Sequence, residues 1–407
     1  MKKKPLFRQV VNTLHLWVGV PSASVLFIVC LTGTLYVFQK EIIRWIDNDQ
    51  YRVNITGAAS SMSLDTLVAS LELQNNGLKV TVVQIPEKSN EAWLLTLAPP
   101  PQKDAEAEKA AIKKKTKILL VNPYNGLIQG SAHTTSYHFF ETVIALHRWL
   151  LMDHDVGGVI TGTAAFMFLL LEITGLMLWA PAKLKSWKKC NAWKPGFTVK
   201  WQAGWKRTNH DLHKTLGFYT FLFITVMAIT GPYFAFSWYK TAFAAALGTQ
   251  PVKKEAVVVK KEKQEGQQLH LLSLDSALLH TNRILSYAGD TRLNLPKGEK
   301  GNLSILKVKT GFFASAGTDR IDFSDDGEIK KIDLFKTKKT GEKIISIMKA
   351  IHTGEVFGTF TKLLYFIACL LATSLPITGV VIWLNKRKKK KPVLSKAKIT
   401  QTGVMTT

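Results

Sequence analysis

The sequence contains few cysteines and lacks the motifs of several redox sites. Only Cys30, Cys190 and Cys369 occur in its 407 residues, and two of them lie within long apolar runs. A disulfide framework is therefore not expected, and no CxxCH motif for covalently attached haem is present. The glycine-rich fingerprint of dinucleotide-binding folds is also missing. If the chain takes part in redox chemistry, its electron donor must bind elsewhere or be another protein.

Apolar residues make up 46% of the chain and are gathered in blocks. A bilayer-spanning helix needs ~20 such residues. Four blocks meet this length and predict transmembrane helices at 15–39, 155–180, 213–239 and 356–384. The first block is longer than the apolar part of a signal peptide, and no small-x-small cleavage site follows it, so we interpret it as a retained helix. The sequence thus predicts an α-helical integral membrane protein.

Acidic residues are absent from three strongly basic segments. Residues 1–14, 181–209 and 385–407 hold 20 Lys and Arg residues between them and no Asp or Glu. Basic residues collect on the cytoplasmic side of a membrane, so both termini and the loop 181–212 are predicted to be cytoplasmic. Segments 40–150 and 240–350 then lie on the opposite side. Since topology accounts for most of the +25 net charge, a nucleic-acid partner is not expected.

The chain contains an internal repeat. "LHLWVGV" at 14–20 aligns with "LHKTLGF" at 212–218, and "ITGLMLW" at 173–179 aligns with "ITGVVIW" at 377–383. The repeated unit is an outgoing helix, an outer segment and a returning helix. Two such units in the same orientation predict a two-fold axis along the membrane normal. The first helix then lies opposite the third, and the second opposite the fourth.

The two outer segments repeat less clearly. "SLDTLVASLEL" at 63–73 and "SLDSALLHTNR" at 273–283 each predict a helix with a serine cap. Strand-forming stretches follow both, and both segments end in a glycine turn, "NPYNG" at 122–126 and "SDDGE" at 324–328. Each outer segment is therefore predicted to be a small α+β domain with one helix on a three- or four-stranded antiparallel sheet.

Four of the ten histidines occupy repeat-equivalent positions. His15 is equivalent to His213 near the cytoplasmic side, and His147 to His352 near the outer side. A histidine at a membrane span is costly unless it has a partner, and two imidazoles meeting across an axis can ligate a haem iron from both sides. The alternative is that these are interfacial groups with no cofactor. The symmetric placement favours bis-histidine ligation of two non-covalent haems, an inner and an outer one.

Four glycines support this hypothesis. Gly19 and Gly217 follow the inner histidines by four residues, on the same helix face, where a missing side chain leaves room for a porphyrin. Gly33 and Gly231 lie 18 residues beyond those histidines on the same face, which corresponds to ~27 Å along a helix. They are expected to leave room for the outer haem.

Two further residues near the inner side have alternative interpretations. His210 precedes His213 by three residues and is a possible replacement ligand or proton shuttle. Glu172 is a proton or quinol site, or an acid paired with Lys or Arg of the cytoplasmic loop, and we favour the ion pair. His133, His138, His270 and His280 are expected on the surface of the outer domains, and His154 is expected to be an interfacial residue or a minor contact of a haem edge.

The ordered set of short motifs resembles the PepSY-associated transmembrane family, which includes inner-membrane ferric-siderophore reductases. The matching pieces are "LHLWVGV" with "LTG", "LHRWLL" with "ITGLMLW", "DLHKTLGF" with "ITG", and "IHTGEVFG" with "ITGVVIW". The outer segments, ending in "VNPYNGLI" and "FSDDGEI", are similar to PepSY domains.

The resemblance implies a protein of the bacterial inner membrane with two periplasmic PepSY-like domains and two haems b. It implies that His15, His147, His213 and His352 are the ligands. Electrons from a cytoplasmic reductant or quinol would reduce a periplasmic ferric chelate, such as a ferric siderophore. A different hypothesis is a non-redox PepSY membrane module that binds or regulates a periplasmic partner. A third is a transporter that uses the midplane of its repeats, which predicts polar residues or broken helices at the bilayer centre.

Overall fold

The computed structural model describes residues 5–55, 60–75, 77–100, 116–250, 273–296 and 301–388. His270, most of the basic tail 385–407 and most of the segment 99–116 lie outside these described residues.

Thirteen α-helices, two short 3₁₀-helices at Leu184–Ser186 and Phe335–Thr337, and eight strands are present in the described residues. The helices are α1 Leu6–Val37, α2 Gln39–Ile46, α3 Asn48–Tyr51, α4 Leu64–Gln74, α5 Thr135–Trp149, α6 His154–Trp179, α7 Cys190–Phe197, α8 Trp205–Ala235, α9 Ser237–Ala246, α10 Leu274–Ile284, α11 Thr340–Ser346, α12 Met348–Thr353 and α13 Gly358–Lys388. The strands are β1 Lys79–Ile85, β2 Trp93–Ala98, β3 Lys117–Val121, β4 Ile128–Ser131, β5 Gly289–Asn294, β6 Leu303–Lys309, β7 Thr318–Phe323 and β8 Ile329–Asp333.

Four helices, α1, α6, α8 and α13, are long and apolar enough to cross a membrane. The chain is therefore a multi-pass membrane protein. Helices α1 and α8 begin at Leu6 and Trp205, well before the apolar runs predicted from the sequence. Their first turns are polar, and hydropathy does not detect a helix that continues beyond the lipid core. His15 and His213 consequently lie inside these helices, more than two turns from their first residues.

The four membrane helices form a bundle with the arrangement that the repeat predicts. Helix α1 packs against α6 and α13, and α8 packs against the same two helices. Helices α1 and α8 therefore face each other diagonally across the bundle, as do α6 and α13. Apolar side chains of α8 and α13, including Ile224, Cys369, Ala372 and Leu375, form a buried cluster within it.

The outer segments join in one eight-stranded antiparallel sheet. The strand order is β4-β3-β2-β1-β5-β6-β7-β8, so the two four-stranded halves meet at β1 and β5. Val83 pairs with Leu293 at the centre of this junction. Strands β4 and β8 follow the two predicted glycine turns and complete each half as a four-stranded unit. Pairing β1 with β5 covers two strand edges that would otherwise expose unpaired N–H and C=O groups.

Helices α4 and α10 cover one face of the sheet. Leu67, Leu71 and Ala277 are buried there against strand residues such as Leu95 and Ile305. Each helix begins as the sequence predicts, because the hydroxyls of Ser63 and Ser273 accept hydrogen bonds from the backbone of the first turn.

Helices α5 and α12 connect the sheet to the bundle. Helix α5 packs against α1 and α6, and α12 packs against α8. Leu150 and Leu151 adopt positive φ values of 54° and 59° in the turn between α5 and α6. The membrane surface that carries α5, α12 and the sheet is called the sheet side. The opposite surface, with α7 and the first turns of α1 and α8, is the basic side.

Candidate functional site

His15 and His213 face each other across the bundle near the basic side. They come from the diagonal helices α1 and α8, and both side chains are half-buried. Their ring centroids are 6.3 Å apart, and the ring planes are inclined at 84°. The structure therefore brings together the two residues that the repeat pairs.

His147 and His352 form a second facing pair toward the sheet side. They come from α5 and α12, and their ring centroids are 6.4 Å apart with an interplanar angle of 64°. Burial lowers the pKa of both side chains, that of His352 to about 3, and so favours the neutral form of both rings. A neutral imidazole has one nitrogen with a free lone pair.

A threonine contacts the Nδ1 atom of each of these four rings. The inner histidines contact threonines of α6 and α13, and the outer histidines contact threonines of α1 and α8. The Nδ1···Oγ1 distances are 2.9 Å for His15 and Thr174, 2.9 Å for His213 and Thr378, 3.2 Å for His147 and Thr32, and 2.8 Å for His352 and Thr230. In the described part of the chain, no hydrogen bond is made by Nε2 of any of the four rings.

Each of these threonines is followed by a glycine that lies against the same ring. A Cβ at Gly33 would be 3.1 Å from Cε1 of His147, and one at Gly379 would be 3.2 Å from Cε1 of His213. Gly175 lies in the same way beside His15, and Gly231 beside His352. Gly33, predicted to make room for an outer cofactor, makes room for the imidazole of His147, whereas a Cβ at Gly231 would lie at an ordinary van der Waals distance of 3.9 Å from His352.

A cavity of about 390 Å³ opens beside the inner histidines. Its walls include Gly19 and Gly217, as predicted for glycines on the histidine face, together with apolar side chains such as Phe168 and Phe221. This volume lies within the range of small-molecule sites, roughly 300–1,000 Å³.

The rim of this cavity on the basic side is cationic. Arg8, Lys214 and Lys386 contribute to its lining, and His210 lies among them. His210 is half-exposed, with Nδ1 3.8 Å from the carboxylate of Asp211. The ring that faces His15 is that of His213, so the geometry does not favour His210 as the replacement ligand.

Glu172 lies on the wall of the same cavity and is only 7% exposed. The sequence favoured an ion pair with the basic loop, and this prediction is wrong for the described residues, where no Lys or Arg pairs with Glu172. The loop lysines begin at Lys183, beyond the end of α6, eleven residues along the chain. Glu172 instead points into the bundle, because it shares a helix face with Phe168 and Gly175.

The remaining histidines of the described residues are exposed. His133 and His138 stack near the start of α5, with centroids 6.2 Å apart, and His280 lies on the outer face of α10. His154 begins α6, where it packs on Trp149 and contacts Asp155. These positions agree with the surface and interfacial locations predicted for them.

A second cavity, of about 920 Å³, lies on the sheet side between α2, β4 and the start of α5. Its wall has an apolar part, with Leu35 and Phe140, and a polar part, with Gln50, Gln129 and His133. Among the described residues, the Oε1 atoms of both glutamines are buried and accept no hydrogen bond.

Sequence reasoning missed the role of the threonine-glycine pairs. "LTG" and "ITG" occur at all four positions, and the sequence predicts a role for two of their glycines, Gly33 and Gly231, but for none of their threonines. Their recurrence in every membrane helix was the available signal, but the partner of each threonine is distant in sequence, as for Thr174 and His15.

The fold defines a class: a multi-pass membrane protein with a duplicated helical unit and two symmetric histidine pairs. Residues 13–386 match the family described as PepSY-associated TM region, which covers nearly the whole chain. The protein belongs to this family. A search of curated proteins gives no match.

Proposed function

We propose that the protein is a dihaem electron-transfer protein of the bacterial inner membrane that reduces ferric iron in the periplasm. The facing pairs, His15 with His213 and His147 with His352, carry this proposal. We assign the two four-stranded halves of the sheet to two PepSY-like domains. The basic side is assigned as the cytoplasmic side by the positive-inside rule.

The spacing of the rings suits ligation of one iron by each pair. A bond from a metal to imidazole nitrogen is about 2 Å long, so two rings that hold one ion from opposite sides have centres about 6 Å apart. The centroid distances of 6.3 and 6.4 Å agree with this. The Nε2 atoms, which make no hydrogen bond within the described residues, would be the ligating atoms.

The donor set distinguishes haem from a side-chain metal cluster. No group of three or more His, Cys, Asp and Glu side chains able to hold a metal is present among the described residues. Two histidines suit an iron whose other four ligands belong to a macrocycle. The apolar cavity with its cationic rim of Arg8, Lys214 and Lys386 suits the ring and the two carboxylates of haem b.

Bis-histidine haem supplies one-electron transfer without substrate binding to the iron. The histidines of this chain would hold it at two depths. His15 and Thr32 are 17 residues apart on α1, about 26 Å along the helix, and Thr32 contacts the outer His147. The two layers thus lie near opposite surfaces of a core ~30 Å thick, so that a donor and an acceptor on opposite sides are each close to one layer.

We assign the ferric chelate to the cavity on the sheet side. Its volume of about 920 Å³ suits a molecule of siderophore size, and the polar side chains of Gln50, Gln129 and His133 lie on its wall. Phe140 lies on its wall and precedes His147 by seven residues of α5, about 10 Å.

Reduction of the chelate takes one electron per iron, from a cytoplasmic reductant or quinol that is oxidised in return. Fe(II) binds hard oxygen donors more weakly than Fe(III), so reduction releases the iron. The transporter hypothesis predicted broken helices, whereas α13 is continuous through Pro376.

A vesicle assay tests this function. Right-side-out membrane vesicles that contain the protein are loaded with NADH and supplied externally with ferrioxamine and an impermeant chromogenic Fe(II) chelator. We expect external Fe(II) to form, and to fall to the rate of protein-free vesicles in the His15→Ala and His147→Ala variants. His154→Ala is the matched control. Equal rates in all vesicles would contradict the proposal and favour a non-redox module.

A further inference from the structure

The hydroxyl protons of the four histidine-contacting threonines are already committed. Each Oγ1 donates to the backbone carbonyl four residues earlier in its own helix. The Oγ1···O distances are 2.6 Å for Thr32 and Ile28, 2.8 Å for Thr174 and Leu170, 2.8 Å for Thr230 and Val226, and 2.9 Å for Thr378 and Ser374. A hydroxyl has one proton, so toward a histidine each of these oxygens can only accept.

This commitment fixes the tautomer of all four rings. Because the threonine oxygen accepts, Nδ1 of the imidazole must carry the proton and donate it. His147 illustrates this, since its Nδ1 also lies 2.9 Å from the carbonyl oxygen of Val29, which can only accept. In a neutral ring with a protonated Nδ1, Nε2 has the free lone pair.

The glycine after each threonine completes the arrangement. At Gly33 and Gly379 a Cβ would approach Cε1 of the ring to 3.1 and 3.2 Å, closer than ordinary van der Waals contact. At these two positions the threonine contacts Nδ1 of the imidazole, and the absence of a glycine side chain leaves room for its Cε1.

We infer that Thr32, Thr174, Thr230 and Thr378 are positioning residues that hold each imidazole as the Nδ1–H tautomer, with Nε2 directed at the metal, and so set the affinity and reduction potential of each haem. The inference rests on the proposed function. When Nδ1–H of the imidazole donates a hydrogen bond to the threonine, the histidine becomes a more basic ligand through Nε2. A more basic ligand favours Fe(III) over Fe(II).

The chain offers matched controls on the same helices. Thr220 of α8 donates to the carbonyl of Leu216 as Thr230 does to that of Val226, but it contacts no histidine. Thr373 of α13 makes the same bond to Cys369 and is the control for Thr378. A valine at any of these sites keeps the volume and removes the hydroxyl.

The test compares purified holoprotein of Thr230→Val and Thr378→Val with Thr220→Val and Thr373→Val. Two quantities are measured: the two reduction potentials by spectroelectrochemical titration, and the rate of haem loss to excess apomyoglobin. We expect Thr230→Val to raise one potential and Thr378→Val the other, each with haem loss from that layer about 10- to 100-fold faster. Serine at either position should restore wild-type values, and the controls should leave both quantities unchanged.

Unchanged potentials and loss rates in both valine variants would overturn the inference while leaving the dihaem proposal intact. Wild-type protein without haem would defeat the proposed function instead. The tautomer is measured separately by ¹⁵N NMR of histidine-labelled protein, which shows which ring nitrogen carries the proton. The inference predicts Nδ1–H rings in wild type, and Nε2–H rings in wild type would overturn it.

Discussion

The carboxylates of Asp65 and Asp275 cap each other's helices. Asp275 accepts hydrogen bonds from the Ser63 hydroxyl and the backbone N–H of Leu64, at 2.6 and 2.9 Å. Asp65 accepts the equivalent bonds from Ser273 and Leu274, at 2.8 and 3.0 Å. The two repeat halves are thus joined at α4 and α10 as well as at β1 and β5.

Removing either carboxylate should destabilise the sheet region. Asp65→Ala removes the carboxylate that accepts from the Ser273 hydroxyl and the Leu274 N–H at the start of α10, and Asp275→Ala does the same at α4, while the serine caps remain. Loss of such a contact at a helix start costs about 0.5–2 kcal/mol, which we expect as a lower unfolding temperature in detergent by circular dichroism. Asp49→Ala, at an exposed position, is the control. An unfolding temperature equal to that of the control would show that the two carboxylates contribute nothing.

The Asp275 cap should also depend on pH. Burial raises the pKa of Asp275, but the hydrogen bonds from Ser63, Leu64 and Asp65 outweigh it and hold the pKa below its ordinary value of 3.8. A lowered carboxyl pKa gives stability that is present above pH 3.8 and is lost as the pH falls through the folded-state pKa. The stability difference between wild type and Asp275→Asn should therefore be constant at neutral pH and shrink below pH 3.8. A difference that grows on acidification would contradict this.

The Gly217→Ala variant separates the effect of an added methyl group on porphyrin binding from its effect on protein packing. A methyl group at 217 has its nearest neighbour, Cδ2 of Leu375, 4.0 Å away, so it costs the protein no steric clash. We expect an unchanged unfolding temperature for the haem-free protein and weaker haem binding at the inner site, measured by haem titration. Gly158→Ala, whose Cβ would lie 3.9 Å from Cδ1 of Trp149, is the control. Full haem affinity in Gly217→Ala would place the porphyrin elsewhere.

The buried side chain of Glu172 is expected to lower the stability of the folded protein and to take part in reduction of the ferric chelate. It is 7% exposed and has no ion-pair partner within the described residues, so its carboxylate is expensive to bury. We expect Glu172→Gln to unfold at a higher temperature and to reduce the ferric chelate more slowly, as for a proton-handling group beside the inner pair. Lower stability of Glu172→Gln would reveal a stabilising contact, and an unchanged rate would remove its functional role.

The sequence predicts the membrane helices and the histidine pairs because both depend on patterns along the chain. Apolar length identifies α1, α6, α8 and α13, and the offset between repeats pairs His15 with His213 and His147 with His352. A symmetric duplication turns sequence equivalence into spatial opposition, so no tertiary detail is needed.

Other features depend on which faces meet in three dimensions. The strand sequences of β1 and β5 predict strands but not that they pair, because an edge strand can pair with many partners. The ion pair predicted for Glu172 failed because proximity to a basic loop in sequence does not fix the direction of a side chain on a helix. The hydrogen bonds of Thr174 with His15 and of Thr378 with His213 could not be predicted either, because they depend on which helix faces meet.

The most direct test of the central claim is the haem content of the purified protein by the pyridine haemochrome method. The account predicts two haems b per chain in wild type and in the His154→Ala control, and one in each of the four variants His15→Ala, His147→Ala, His213→Ala and His352→Ala. Absence of haem from wild type, or an unchanged content in all four variants, would contradict it.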